Sequence, residues 1–80
     1  MKLTVATCQF PIGPDVRKNL KYVAHQIRTA RDRGADVAHF PEACLSGYAG
    51  VDFASFEGFV WPLLEECARR VLDLAREYRI

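Results

Sequence analysis

Apolar and polar residues follow two different rhythms along this chain, and the switches between them mark out its elements. Residues 3–10, Leu-Thr-Val-Ala-Thr-Cys-Gln-Phe, form a short β-branched run that is mostly apolar on both faces. Such a run predicts a strand covered on both sides, as in a parallel or mixed sheet. Pro11, Gly13 and Pro14 end it. From Val16 the period lengthens. Val16, Leu20, Val23, Ile27 and Ala30 follow at steps of four, three, four and three, which is one stripe of a helix. Asp15 stands where an N-cap oxygen is needed, and Lys18, Lys21, Arg28 and Arg31 lie off the stripe. Gly34 closes the helix as a C′ residue.

Ala35-Asp36-Val37-Ala38-His39-Phe40 then reads as a second strand, stopped by Pro41. Strand, helix and strand fill about forty residues, the length of a βαβ unit with parallel strands and a right-handed crossover. Residues 41–59 show no period, apart from room for a short helical turn after Asp52. A connection this long inside a compact domain is usually functional.

The helical rhythm returns from Trp61 to Tyr78. Trp61, Leu64, Ala68, Val71, Ala75 and Tyr78 make its stripe, widened by Val60, Cys67 and Leu74. Pro62 is tolerated in a first turn. Glu65–Arg69 and Glu66–Arg70 are spaced for i,i+4 pairing. Two helices cannot cover both faces of such a sheet, so residues 1–80 are read as part of one larger α/β domain.

Composition narrows the partners. Half of the residues are hydrophobic and 26% are charged, which fits a packed globular chain rather than a disordered tail. The net charge is +1 with no basic cluster, so a nucleic-acid partner has no electrostatic footprint. No apolar run approaches the roughly 18 residues of a membrane span. Cys8, Cys44 and Cys67 form neither an even set nor a Cys-x-x-Cys pair, which points to a reduced, cytoplasmic setting.

Glu42 is the residue with the most chemistry in its position. Ligand sites of α/β sheets lie beyond the carboxyl ends of strands, and Glu42 falls there, just after Pro41. Partial burial would disfavour its charged form and bring it toward the range of a general base. The plainer reading is an exposed loop carboxylate or a cap for a short helix.

Several motifs resemble one family in order and spacing. They are the strand ending in Cys8-Gln9-Phe10, Asn19 in the first helix, Gly34-Ala35-Asp36, Phe40-Pro41-Glu42, Leu45-Ser46-Gly47-Tyr48 and Asp52. Together they resemble the opening third of a nitrilase, or carbon–nitrogen hydrolase, domain. The resemblance implies an α-β-β-α sandwich, homo-oligomeric assembly, and hydrolysis or condensation of non-peptide C–N bonds in amides, nitriles and carbamoyl compounds. It also implies a Glu-Lys-Cys triad in which Glu42 matches the general base.

In such a triad a base takes the thiol proton, because only the thiolate attacks the carbonyl or nitrile carbon. A lysine stabilises the oxyanion. No metal or other cofactor is called for. The family's lysine and nucleophilic cysteine lie downstream of the glutamate, yet no lysine follows Lys21. Cys44 is close to Glu42 in sequence, but the resemblance places the nucleophile in a later element, and Cys44 reads as a small buried hydrophobe. Cys8 and Cys67 read as core. His25 reads as solvated and His39 as a hydrogen-bonded core imidazole. His39, Glu42, Cys44 and Asp52 match no metal-ligand spacing. Tyr48 is a candidate substrate contact by resemblance, and Tyr48 and Asp52 fit loop packing or capping equally well. Phe53, Phe56, Phe59 and Trp61 read as core or subunit contact.

The expected function is therefore the N-terminal segment of an amidase- or nitrilase-type hydrolase, inactive by itself. A non-catalytic binding or assembly module with the same fold is the alternative. A flavodoxin-like protein is disfavoured, because no Gly-rich phosphate turn follows the first strand.

Overall fold

The computed structural model describes residues 1–80. Its elements are β1 (Val5–Thr7), α1 (Val16–Asp32), β2 (Val37–His39) and α2 (Trp61–Tyr78). The strands pair in parallel, with Val5 opposite Val37, Ala6 opposite Ala38 and Thr7 opposite His39. Both strands are shorter than the apolar runs that contain them, although hydrogen bonding continues past their ends. Cys8 N–H donates to the His39 carbonyl at 2.8 Å, and Asp36 N–H donates to the Thr4 carbonyl at 2.8 Å. The Asp36 carboxylate also accepts from Thr4 N–H at 2.9 Å, which ties the start of the ladder.

Asp15 caps α1 as expected, its side chain accepting from Lys18 N–H at 3.1 Å. The other end is a Schellman closure around Gly34, at φ +83°. Gly34 N–H reaches the Arg31 carbonyl and Ala35 N–H the Ala30 carbonyl, so two terminal carbonyls find donors. α2 starts without a side-chain cap and ends on Arg79 in the left-handed region, with Ile80 N–H on the Ala75 carbonyl. Arg69 and Glu65 pair within α2 at 2.8 Å. Glu66 does not pair with Arg70. It crosses to Arg17 of α1 at 3.1 Å, and with both side chains mostly in solvent the pair adds little stability.

The core forms where the two helices meet. Val23, Ile27 and Leu74 are its buried centre, with Phe10, Phe40, Cys44, Leu45, Val71 and Tyr78 packed around them. α1 buries Val16, Val23, Ile27 and Ala30 as its stripe predicts, and Asn19 with them. The buried line of α2 runs through Cys67 and Leu74, whereas Trp61 and Ala68 are exposed. A single partner helix covers only a narrow seam, so the edges of the wider stripe stay in solvent.

The expectation of strands covered on both faces is not met. Ala6, Cys8, Ala38 and Phe40 turn toward the helices, while Leu3 is 61% exposed, Val5 51% and Val37 39%. His39 shares this open face and is exposed, so it is no core imidazole. Alternation along a strand puts successive residues on opposite faces, and the helices here occupy one of them.

Candidate functional site

The segment after β2 is organised by tight turns rather than by a helix. Phe40 packs into the core and Pro41 follows, leaving Glu42 at the first position of a turn that runs to Ser46. Ala43 adopts φ +54°, a left-handed conformation that costs a residue with a Cβ about 1 kcal/mol or more. Gly47 N–H closes the turn on the Ala43 carbonyl at 2.9 Å. Asp52 then locks the next stretch. Its carboxylate accepts from Tyr48 N–H at 2.7 Å, and its own N–H donates to the Tyr48 carbonyl at 2.8 Å.

This loop is fastened to the rest of the chain at two places. Gly47 is buried at φ +79°, so close to the turn before α1 that a Cβ there would stand 2.7 Å from the Gly13 carbonyl oxygen. Asn19, 1% exposed, reaches both sides of the same junction. Its Nδ2 donates to the Gly13 carbonyl at 2.8 Å and to the Leu45 carbonyl at 3.0 Å, while its Oδ1 accepts from Gly13 N–H at 3.1 Å. In the sequence Asn19 stands out only through its resemblance to the family. The signal was present, because Val16, Asn19 and Val23 lie on one helical face and a polar residue there needs partners.

Glu42 itself is exposed, in contrast to the partial burial expected. It is the exposed position of a turn whose other residues, 43–46, are partly buried, with Cys44 and Leu45 against the core. Tyr48 is half-buried beside it. Burial pushes the Tyr48 phenol above its ordinary value, and the Glu42 carboxylate adds to this by its charge. Asp52 and Cys44 act in the same direction. The phenol thus lies near the Glu42 carboxylate without a geometric hydrogen bond to it, while Asp52 is tied to the backbone of Tyr48.

Cys44 points elsewhere. It packs against the Val23–Ile27–Leu74 core, and burial raises its thiol above the ordinary range. It is a partly buried thiol at the edge of the core, where a fully buried one was expected, whereas Cys8 and Cys67 are buried as expected. No group of three His, Cys, Asp or Glu side chains converges as a metal site would. Phe53, Phe56, Phe59 and Trp61 form a contiguous set of rings with centroids 4.7–5.5 Å apart. Phe56 and Trp61 are largely exposed, so this set lies at the surface rather than in the core.

Known proteins place this arrangement in a family. The family model "Carbon-nitrogen hydrolase" matches residues 4–80, and the chain belongs to that family, within the nitrilase superfamily. Two similar proteins are the glutamine-dependent NAD(+) synthetases of Xylella fastidiosa strains Temecula1 and 9a5c, each 39% identical over 61 residues. The aligned part is 75% of this chain and 11% of either relative, so the chain spans a small fraction of their length. No solved structure gives a significant match. No helix is long and apolar enough to cross a membrane.

Proposed function

We propose that these residues open the catalytic domain of a hydrolase that cleaves the C–N bond of a primary carboxamide, with Glu42 as its general base. The observation that carries this reading is the placement of Glu42. It follows the carboxyl end of a parallel strand on a turn with a left-handed alanine, and the half-buried Tyr48 comes shortly after it in the same loop. Strained backbone next to a carboxylate at a strand's carboxyl end is a costly arrangement for a mere surface loop. Among the amides, nitriles and carbamoyl compounds the family handles, an amide is favoured because both relatives are named as glutamine-dependent.

In this mechanism a cysteine and a lysine from outside these 80 residues complete the triad, within an α-β-β-α sandwich. Glu42 takes the thiol proton as sulfur attacks the amide carbon, and the lysine ammonium stabilises the oxyanion. The same carboxylic acid protonates the departing ammonia. As a carboxylate again, it removes a proton from the water that cleaves the thioester. Tyr48, close to Glu42 in the same loop, orients the carboxylate or the bound amide. The complete protein works in the reduced cytoplasm as a homo-oligomer, without a cofactor.

The test is ammonia release from glutamine by the complete protein and by its Glu42→Gln variant. Turnover that vanishes with the substitution supports the reading. Full turnover in the variant overturns the assignment of the base, and an inert wild-type protein overturns the substrate class.

A further inference from the structure

We propose that Asn19 is a positioning residue for Glu42, acting through the Leu45 carbonyl to hold the catalytic turn against the turn that precedes α1. The proposal rests on the reading of Glu42 as general base.

Packing alone does not account for an asparagine here. Position 19 is 1% exposed and lies on the same helical face as Val16 and Val23, where an aliphatic side chain would continue the stripe. Burying an amide costs free energy unless its hydrogen bonds are replaced. At Asn19 they are replaced in full. Both Nδ2 hydrogens are used, on the Gly13 and Leu45 carbonyls, and Oδ1 takes the Gly13 N–H. None of these three backbone groups has a backbone partner. The amide therefore does for two irregular segments what a β-ladder does for strands.

The geometry connects that amide to the base. Leu45 lies in the turn that starts at Glu42, and Gly47 N–H on the Ala43 carbonyl closes that turn around it. The Gly13 carbonyl that accepts from Asn19 is also the oxygen that Gly47 packs against. Residues 13, 19, 45 and 47 thus form one junction, and release of the Leu45 carbonyl frees the turn on which Glu42 rides. A base must sit within hydrogen-bond reach of the proton it takes, and a misplacement of about 1 Å can lower turnover on the order of 100-fold.

Asn19→Asp separates positioning from bulk. It keeps the shape and the acceptor for Gly13 N–H, but sets an oxygen against two carbonyls that need donors. In the complete protein we expect faster amide exchange at Gly47, in the released turn, with Gly13 N–H, whose acceptor is kept, and Val23, Ile27 and Leu74 protected as before. For ammonia release from glutamine we expect kcat to fall by about 10- to 100-fold, with KM changing far less. The ratio of variant to wild-type kcat should rise as pH falls, because protonation of the introduced carboxyl restores one donor. Should Asn19→Asp not fold, Asn19→Ser removes one donor without adding charge and should show the same split to a smaller degree.

Wild-type exchange at Gly47, or a loosened turn with unchanged kcat, overturns the positioning role. So does exchange that quickens uniformly across the core, since that marks a merely structural residue. Failure of the underlying reading looks different. Full kcat in Glu42→Gln removes the base and the positioning role with it, while the exchange pattern of Asn19→Asp still reports whether the turn is held.

Discussion

Gly47 approaches the Gly13 carbonyl so closely that a methyl group in place of its hydrogen would stand 2.7 Å from that oxygen. Real side chains do not tolerate such a contact, and the oxygen belongs to backbone that cannot rotate away. Gly47→Ala should therefore cost more than the ~1 kcal/mol of a left-handed alanine alone. Gly34→Ala is the control, because Gly34 has a similar positive φ with open space around it. Urea melts of the two variants should rank Gly47→Ala as the more damaging. An equal loss would show that conformation, and not the close approach, governs both sites.

Glu42→Gln should leave folding unchanged, since the side chain is exposed and takes no part in the core. Its effect should fall on turnover in the complete protein, by about 10²- to 10⁴-fold, the range of general acid–base catalysis. Circular dichroism and ammonia release from glutamine, measured on the same preparation, would separate the two.

Cys44→Ser should do the reverse. The thiol packs on the helix–helix core, so a hydroxyl there should cost about 1 kcal/mol of stability while turnover per folded molecule stays at the wild-type level. Loss of the reaction with stability intact would make Cys44 the nucleophile.

Alkaline pH should weaken the fold. Burial raises the thiols of Cys8, Cys44 and Cys67, so between their unfolded and folded values the native chain holds protons that the unfolded chain has released. Their contribution is complete below the ordinary thiol range near about 8.5 and is lost as pH rises through the raised folded values. The thermal midpoint should drop from pH 7 to pH 10, and less steeply in Cys67→Ser. A midpoint that rises over that interval would contradict the sign.

Leu74→Ala removes one of the three side chains at the centre of the core. Such truncations cost about 2–5 kcal/mol, comparable to the whole stability of a small domain, and we expect the variant to be unfolded at 37 °C. A cooperative melt close to wild type would mean that the helix–helix seam is not the main source of stability.

Much of this was legible in the residues alone. The spacing of Val16, Val23, Ile27 and Ala30 specified α1 and its buried face, and Asp15 and Gly34 specified its ends, because helix periodicity and capping are local properties. The ordered motifs around Glu42, Gly47 and Tyr48 pointed to the family for a related reason. Turn residues and a carboxylate beyond a strand are set by short stretches of chain. Other features depended on what stands across a gap. Which line of α2 is buried, why Glu66 turns to Arg17, and which face of the sheet stays open follow from the placement of α1, which no local pattern encodes. The joining of Asn19 to Gly13 and Leu45, and the exposure of Glu42, were likewise decided by tertiary structure. Hydrogen bonds between residues 26 positions apart, and burial by distant elements, exist only once the chain has folded.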